Sequence, residues 1–288
     1  YFWRAQLYRI EFKEYDKALA DFNKAIELNP KDAAKYFGRA LLYRFNLEQH
    51  DNALTDYTKA IELDPEYEDA YYWRANLYKY DLEQYDNAEA DFNKAIELDP
   101  KDADSYSERA LLYGYNLNQY DKALADFNKA VELDPKDADQ YYYRAYFYNN
   151  ILKQYDKAEL DFNKAIELNP KDADNYFGRA YLYQEQLKQY DKAIADYLTI
   201  LYLDPRNQYA NNNIAIIYRN YIKDYDKALE YYTKEIELFP KDPLAYKNRA
   251  TLYRENLKQY DKAIADYLKV FKLDPKRKYT NNNIAIIY

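Results

Sequence analysis

The chain has 288 residues and is rich in rings, with 40 Tyr and 12 Phe, yet it holds only 3 Gly, one His and neither Cys nor Met. The missing cysteines exclude disulfides, thiol catalysis, iron-sulfur clusters and Cys-type zinc sites, and a single histidine excludes His-rich metal sites. Lys and Arg number 42 against 50 Asp and Glu, a net charge of −8 that argues against a phosphate-binding surface and so against a nucleic-acid partner.

Single residues narrow the reading further. Ser105 and Ser107 are the only serines and neither stands in a nucleophile elbow, which argues against a Ser-His-Asp hydrolase. Gly38, Gly114 and Gly178 stand alone, so there is no phosphate-cradling loop and no dinucleotide fingerprint. No stretch approaches the roughly 18 apolar residues of a membrane span. The expectation is a non-catalytic protein without cofactor, metal site or membrane insertion. A start at Tyr1 rather than Met is expected of a mature or partial chain. A secreted or cell-surface setting is the leaning, with the cytoplasm left open.

The chain opens inside a first helix at Tyr1, Phe2 and Trp3. Units then end at Pro30, Pro65, Pro100, Pro135, Pro170, Pro205, Pro240 and Pro275, each interval being 35 residues, and a trailing first helix covers 276–288. A fixed period of this size means an array. Residues 71–100 show one unit: two apolar blocks at helical spacing separated by a short polar turn, which predicts a helical hairpin. Asp16, Asp51, Asp86, Asp121, Asp156, Asp191, Asp226 and Asp261 precede the second block, where an N-cap is worth about 1 kcal/mol. Proline ends the second helix, and an Asp such as Asp102 or Asp137 caps the next first helix. Alanines recur at 5, 40, 75 and onward, and again at 18, 53, 88 and onward, marking close helix approach.

This pattern resembles the tetratricopeptide repeat family. Ala88, Phe92 and Pro100 have that family's second-helix spacing, and Tyr78 takes its first-helix tyrosine. Tyr71, Arg74 and Ala75 stand where the family has Trp, Leu and Gly, and one extra residue lies between Tyr78 and Ala88. The resemblance implies an all-α, right-handed α-solenoid, a superhelix of antiparallel helix hairpins forming one array over 1–288. It also implies partner peptides or helices bound on a concave face. Pentatricopeptide RNA-binding arrays share the 35-residue period, but the Ala, Phe and Pro spacing and the acidic balance speak against them.

Two columns pair in sequence. Arg recurs at 4, 39, 74, 109, 144, 179 and 249 and Asp at 21, 56, 91, 126, 161, 196 and 266, always seventeen residues later. Ile214 and Tyr231 replace both members together, which predicts an ion pair between the two helices of a unit.

Of the 40 tyrosines, 27 fall in the columns of Tyr78, Tyr85, Tyr71 and Phe92 and are read as seam packing. Among the rest, Tyr72, Tyr80, Tyr115, Tyr142, Tyr146, Tyr181 and Tyr209 stand at first-helix positions that the resemblance turns toward the concave groove. Phe2, Phe37 and Phe177 share the column of Tyr72 and Tyr142. With Asn76, Asn149 and Asn150 beside it, this stripe suits a peptide ligand, rings giving contact area and amides pairing its backbone. The alternative is packing of the same rings between turns or between chains. His50 sits in the Tyr85 column as a repeat variant. The acidic groups at 99, 102 and 104, copied at 134, 137 and 139, hint at calcium, but helix capping explains them better.

Residues 211–218, NNNIAIIY, recur at 281–288, and 175–218 match 245–288 at 30 of 44 positions, which marks a duplicated pair of units. The last helix carries Ile284, Ile286, Ile287 and Tyr288, and the first carries Tyr1, Phe2 and Trp3, with no polar cap at either end. Two explanations follow: the chain is a segment of a longer array, or its ends stack on further copies of itself, head to tail, as a filament, fibre or stalk. The expected partner is therefore a protein or peptide ligand in the groove or, alternatively, another copy of this chain.

Overall fold

The computed structural model describes residues 1–275. Among them there are sixteen α-helices and no strand. The expected trailing helix 276–288, with Ile284, Ile286, Ile287 and Tyr288, lies outside the described residues. None of the described helices is long and apolar enough to cross a membrane.

The chain forms two compact units, Tyr1–Arg144 and Ala145–Tyr288. In the first, hairpins are built by α1 (Phe2–Leu7) with α2 (Tyr15–Leu28), α3 (Ala33–Phe45) with α4 (His50–Leu63), α5 (Glu68–Tyr80) with α6 (Tyr85–Leu98), and α7 (Ala103–Leu111) with α8 (Tyr120–Leu133). Helix α9 (Ala138–Phe147) follows. The second unit holds α10 (Tyr155–Leu168), then the hairpins α11 (Ala173–Tyr181) with α12 (Tyr190–Leu203), α13 (Ala210–Ile217) with α14 (Tyr225–Leu238), and α15 (Pro243–Leu252) with α16 (Tyr260–Leu273). Within each unit the second helix of one hairpin also packs on the first helix of the next, as α4 does on α5 and α14 on α15. This is solenoid packing, in which each hairpin buries its apolar face on its neighbours.

The small-residue columns do what their spacing implies. Ala75 and Ala88 are fully buried with Phe92 and Leu112, and the half-buried rings of Tyr72, Tyr78 and Tyr85 close over them. Only a methyl group fits where α5 and α6 touch.

The extra residue of each 35-residue repeat has a definite place. It widens the end of the first helix into a π-helical turn at Tyr8–Phe12, Leu112–Asn116, Tyr148–Leu152, Leu182–Leu187, Tyr218–Ile222 and Tyr253–Leu257. In α3 and α5 the same step is taken by single wide hydrogen bonds, Leu47 N to Leu42 O and Leu82 N to Leu77 O, both 3.1 Å. The chain then reverses through one left-handed residue, Lys13, Glu48, Glu83, Asn118, Lys153, Lys188, Lys223 or Lys258, with φ between 54° and 66°. The α-helical body of each first helix keeps its register, and the insertion is absorbed at its end.

Capping departs from expectation on one side of the hairpin. Asp16, Asp51 and their copies are not N-caps: each is the second residue of its helix, and the cap is Glu14, Gln49, Gln84 or an equivalent, whose side chain accepts no capping bond except at Asp224, which accepts from Lys227 N at 3.0 Å. Those aspartates instead place negative charge on the positive end of the helix dipole. On the other side, Asp102 accepts from Asp104 N and Ser105 N, and Asp137 accepts from Asp139 N.

Candidate functional site

The arginine column forms the predicted pairs. Arg4, Arg39, Arg74, Arg109, Arg179 and Arg249 each donate two hydrogen bonds, from Nε and Nη2, to Asp21, Asp56, Asp91, Asp126, Asp196 and Asp266 at 2.6–2.9 Å. A third donor reaches back to the preceding hairpin: Arg74 Nη1 to Thr58 Oγ1 at 3.1 Å and Arg109 Nη1 to Asn93 Oδ1 at 2.6 Å. Two tyrosines flank the guanidinium of Arg39, Arg74, Arg109 and Arg179, among them Tyr71 and Tyr78 at 5.8 and 5.9 Å for Arg74 and Tyr106 and Tyr113 at 5.6 and 5.7 Å for Arg109. Two of the tyrosine columns are thus explained by packing on the ladder. Where Arg and Asp are both absent, Ile214 is fully buried and the Tyr218 and Tyr231 rings stack at 6.0 Å.

With the ladder assigned to structure, the expected groove residues divide in two. Phe2, Phe37, Tyr72 and Phe177 are half-buried, and their rings meet Phe22, Tyr57, Phe92 and Tyr197 of the paired second helix at 5.8–6.2 Å. Tyr142 is half-buried too, with Tyr143 at 5.8 Å. This column serves packing within the hairpin. The amides expected to face a ligand do not: Asn76 is 4% exposed and donates to Tyr72 O, and Asn149 is 1% exposed and donates to Asn150 Oδ1. Short polar side chains beneath a ring row find backbone and neighbouring partners before a ligand can. Asn150 is half-buried.

Exposed rings remain. In the first unit Phe45, Tyr80 and Tyr115 are 50%, 54% and 39% exposed, and with Ile10 they form one column at 35-residue spacing. In the second unit Tyr146, Tyr181 and Tyr209 are exposed. At the chain start Tyr1 and Trp3 are exposed and Phe2 is half-buried.

Two rings of the row in the first unit, Phe45 and Tyr80, are braced by buried cations. Arg44, beside Phe45, is buried, donates from Nε to Asp81 at 2.8 Å and from Nη1 to Trp73 O at 3.2 Å, and lies 4.8 Å from the Phe45 ring centre. Lys79, beside Tyr80, is buried and donates to both Glu108 O and Glu108 Oε2 at 3.0 and 2.9 Å, with its ammonium 4.4 Å from the Tyr80 ring centre. Tyr80 OH donates to the same Glu108 Oε2 at 2.8 Å. Burial holds the Lys79 ammonium below its ordinary range while Glu108 opposes that shift. The Phe45 and Tyr80 rings thus each sit on a cation anchored to the next hairpin, so little ordering of these two remains to be done when a ligand arrives. Ile10, Phe45, Arg44, Lys79, Asp81 and Glu108 were not among the residues singled out from sequence. The spacing from Tyr80 and Tyr115 identifies the first two, and Arg9, Arg44, Lys79, Arg219 and Arg254 form a basic column, whereas the acidic partners change position from unit to unit and leave none.

An acidic edge adjoins the row. Gln140, buried, donates to Asp104 Oδ1 and Asp137 Oδ2 at 2.9 Å each, and Ser107 donates to Gln140 Oε1. The phenols of Tyr72 and Tyr143 are pushed up by burial first and then by Glu108, Asp104 and neighbouring aspartates, so rings and carboxylates share one field. Glu68 is pushed up to about 7 by burial, then by Asp102, Asp69 and Asp99. Its carboxyl stays protonated in the fold while the unfolded chain's ionises above its ordinary 4.5, so stability falls as pH rises from about 4.5 to about 7 and the loss is complete above that. Glu68→Gln should therefore melt above the parent at pH 8 and with it at pH 4, as read by circular dichroism; an equal gain at both would refute the assignment. Among the described residues no group of three or more His, Cys, Asp or Glu is placed to hold a metal ion.

The comparisons agree with this geometry. Models described as TPR repeat match 44–80 and 115–151, and models described as tetratricopeptide repeat match 92–125, 162–195 and 231–265, and 1–32, 68–102 and 139–172. No curated protein matches the chain in sequence. Among solved structures, YrrB, a TPR protein with an unusual peptide-binding site, is 25% identical with a TM-score of 0.50, over 66% of this chain and 96% of that one. A tetratricopeptide repeat protein from Parabacteroides merdae is 19% identical with a TM-score of 0.59, over 88% and 98%. Yeast Tom70 is 21% identical with a TM-score of 0.63, over 96% of this chain and 58% of that one. Repeat matches along the chain, the helical hairpins and the fold likeness agree, and the chain belongs to the tetratricopeptide repeat family.

Proposed function

We propose that this chain is a protein-protein interaction scaffold that binds an extended or helical peptide segment across the exposed rings of its first-helix face. Tetratricopeptide repeat proteins are generally non-catalytic scaffolds, which supports the coarser part of the reading. The observation that carries the finer part is the row Phe45, Tyr80 and Tyr115, exposed at unit spacing, with Phe45 braced from below by Arg44 and Asp81 and Tyr80 by Lys79 and Glu108. Aromatic anchors held in place before binding are what hot spots are made of. YrrB, similar over 66% of the chain, is described as having a peptide-binding site, which supports the same reading. The acidic edge at Glu68, Asp69, Asp104 and Asp139 favours a segment that carries Lys or Arg beside its apolar side chains.

Selection of random displayed peptides on the intact chain tests this. The expected outcome is enrichment of segments pairing bulky apolar residues with Lys or Arg. Absence of enrichment, together with growth into long assemblies as concentration rises in sedimentation velocity, would instead favour head-to-tail stacking through Tyr1, Phe2 and Trp3 at one end and Ile284, Ile286, Ile287 and Tyr288 at the other.

A further inference from the structure

One position breaks the chemistry of its column. Ala25, Ala60, Ala95, Ala130, Ala165, Ile200 and Val270 are buried where second helices meet their neighbours, and the eighth member is Glu235 on α14, 2% exposed. Its Oε2 is buried with no hydrogen-bond partner. A carboxylate is far more costly to bury than the alanine found in five other units, unless something answers its charge.

Glu235 lines a cavity of about 30 Å³ together with Gln208, Tyr209, Asn212, Asp242, Leu244 and Ala245. Among titratable groups on the elements packed against α14, namely Arg206 and Tyr209 before α13, Arg219 after it, Lys241 and Asp242 in the following turn, and Lys247 and Arg249 on α15, only Asp242 and Tyr209 line the cavity. Lys234 and Glu237 on α14 itself do not. The cavity lining therefore includes two acidic residues and no basic one. Asp242 Oδ1 already accepts from Leu244 N at 2.9 Å, and Asn212 Oδ1 accepts from Asn248 at 2.7 Å. At the rim, Tyr209 and Leu244 are 61% and 41% exposed.

We propose that this cavity receives the ammonium group of a lysine side chain from a partner protein. The space suits a group of about one water's size, which an ammonium head is and a planar guanidinium is not. An ammonium carries three donors and no acceptor, matching an orphaned carboxylate oxygen beside a second carboxylate. The four-carbon stem of lysine reaches in from the rim, its methylenes lying on Tyr209 and Leu244. The Glu235 carboxyl supports this assignment: it is pushed up to about 7 by burial first and then by Asp242, with a hydrogen bond from Asn211 opposing. An arriving ammonium displaces its proton, so binding strengthens as pH rises from 6 to 8. The proposal rests on the scaffold reading only for the source of the lysine.

The test uses the intact chain with carboxyl-labelled glutamate and the probe Nα-acetyl-lysine N-methylamide, followed by carbon NMR. The expected result is saturable binding with release of the Glu235 proton, at least tenfold weaker in Glu235→Ala and Glu235→Gln. Glu235→Ala restores the residue that five other units carry, and Glu235→Gln keeps the shape. The acetyl-arginine analogue and glycine N-methylamide with a free amino terminus should each bind at least tenfold more weakly than the lysine probe. Equal binding of the arginine analogue or of the free amino terminus, unchanged binding in Glu235→Ala, or no shift of the Glu235 signal, as a buried water alone would give, overturns the proposal. Because the probe is not a peptide that spans the ring row, failure here leaves the scaffold reading standing, and failure of peptide selection leaves this site standing.

Discussion

Arg74→Leu should cost the chain about 3–5 kcal/mol, and Arg74→Leu combined with Asp91→Leu should cost less than either single change. Asp91 is 6% exposed and takes both of its bonds from Arg74, so removing the arginine strands a buried carboxylate. The loss extends further, because Arg74 also reaches Thr58 on α4 and separates the Tyr71 and Tyr78 rings. Removing both charges lets the space close with apolar contact, as the unit with Ile214 and Tyr231 already does. Neighbouring hairpins unfold in part independently in such arrays, so the loss should be read by hydrogen exchange of α5 and α6 as well as by urea titration. Additive losses in the double variant would refute the ladder.

Phe92→Ala is expected to destabilise by about 3–5 kcal/mol, while Phe92→Tyr loses far less. Phe92 is fully buried between Ala75, Ala88 and Leu112, with Tyr72 edge-on at 6.2 Å, and no long side chain is free to fill the space it leaves. Tyrosine is accommodated in this column at 57, 197, 232 and 267: Tyr197 OH donates to Gln184 Oε1 at 3.3 Å and Tyr267 OH meets Thr251 Oγ1 at 3.3 Å, while the Tyr57 hydroxyl is buried without a partner. Equal destabilisation by Ala and Tyr, read by thermal melting, would mean that the ring column is a shape lock without that polar tolerance.

The hairpins and the Arg–Asp pairing were legible because each depends on a residue type that recurs every 35 positions, and periodicity reports the local and nearest-neighbour contacts of a solenoid. The place of the extra residue was not legible. A π-helical turn followed by a left-handed Lys, Glu or Asn leaves no composition signal when glycine is not used there. The groove was legible only in part. Tyr72 and Tyr80 both lie on α5 and both looked like groove rings, yet the first turns onto Phe92 and the second outward, a difference of helix phase that the resemblance alone did not fix. Asn76 was misread for the same reason, and Glu235 stands out only when its whole column is compared.

The central claim is that the braced ring row is where partners bind, and the affinity of a selected peptide for Tyr80→Ala with Tyr115→Ala tests it most directly. Both rings are exposed, so the variant should remain folded at the titration temperature, as circular dichroism checks, while isothermal titration shows binding weakened at least tenfold, about 1.4 kcal/mol or more. Tyr202→Ala removes a ring that is 85% exposed on the second helix α12 and should leave affinity unchanged. Equal affinity for parent and double variant, or an equal loss in Tyr202→Ala, would contradict the account.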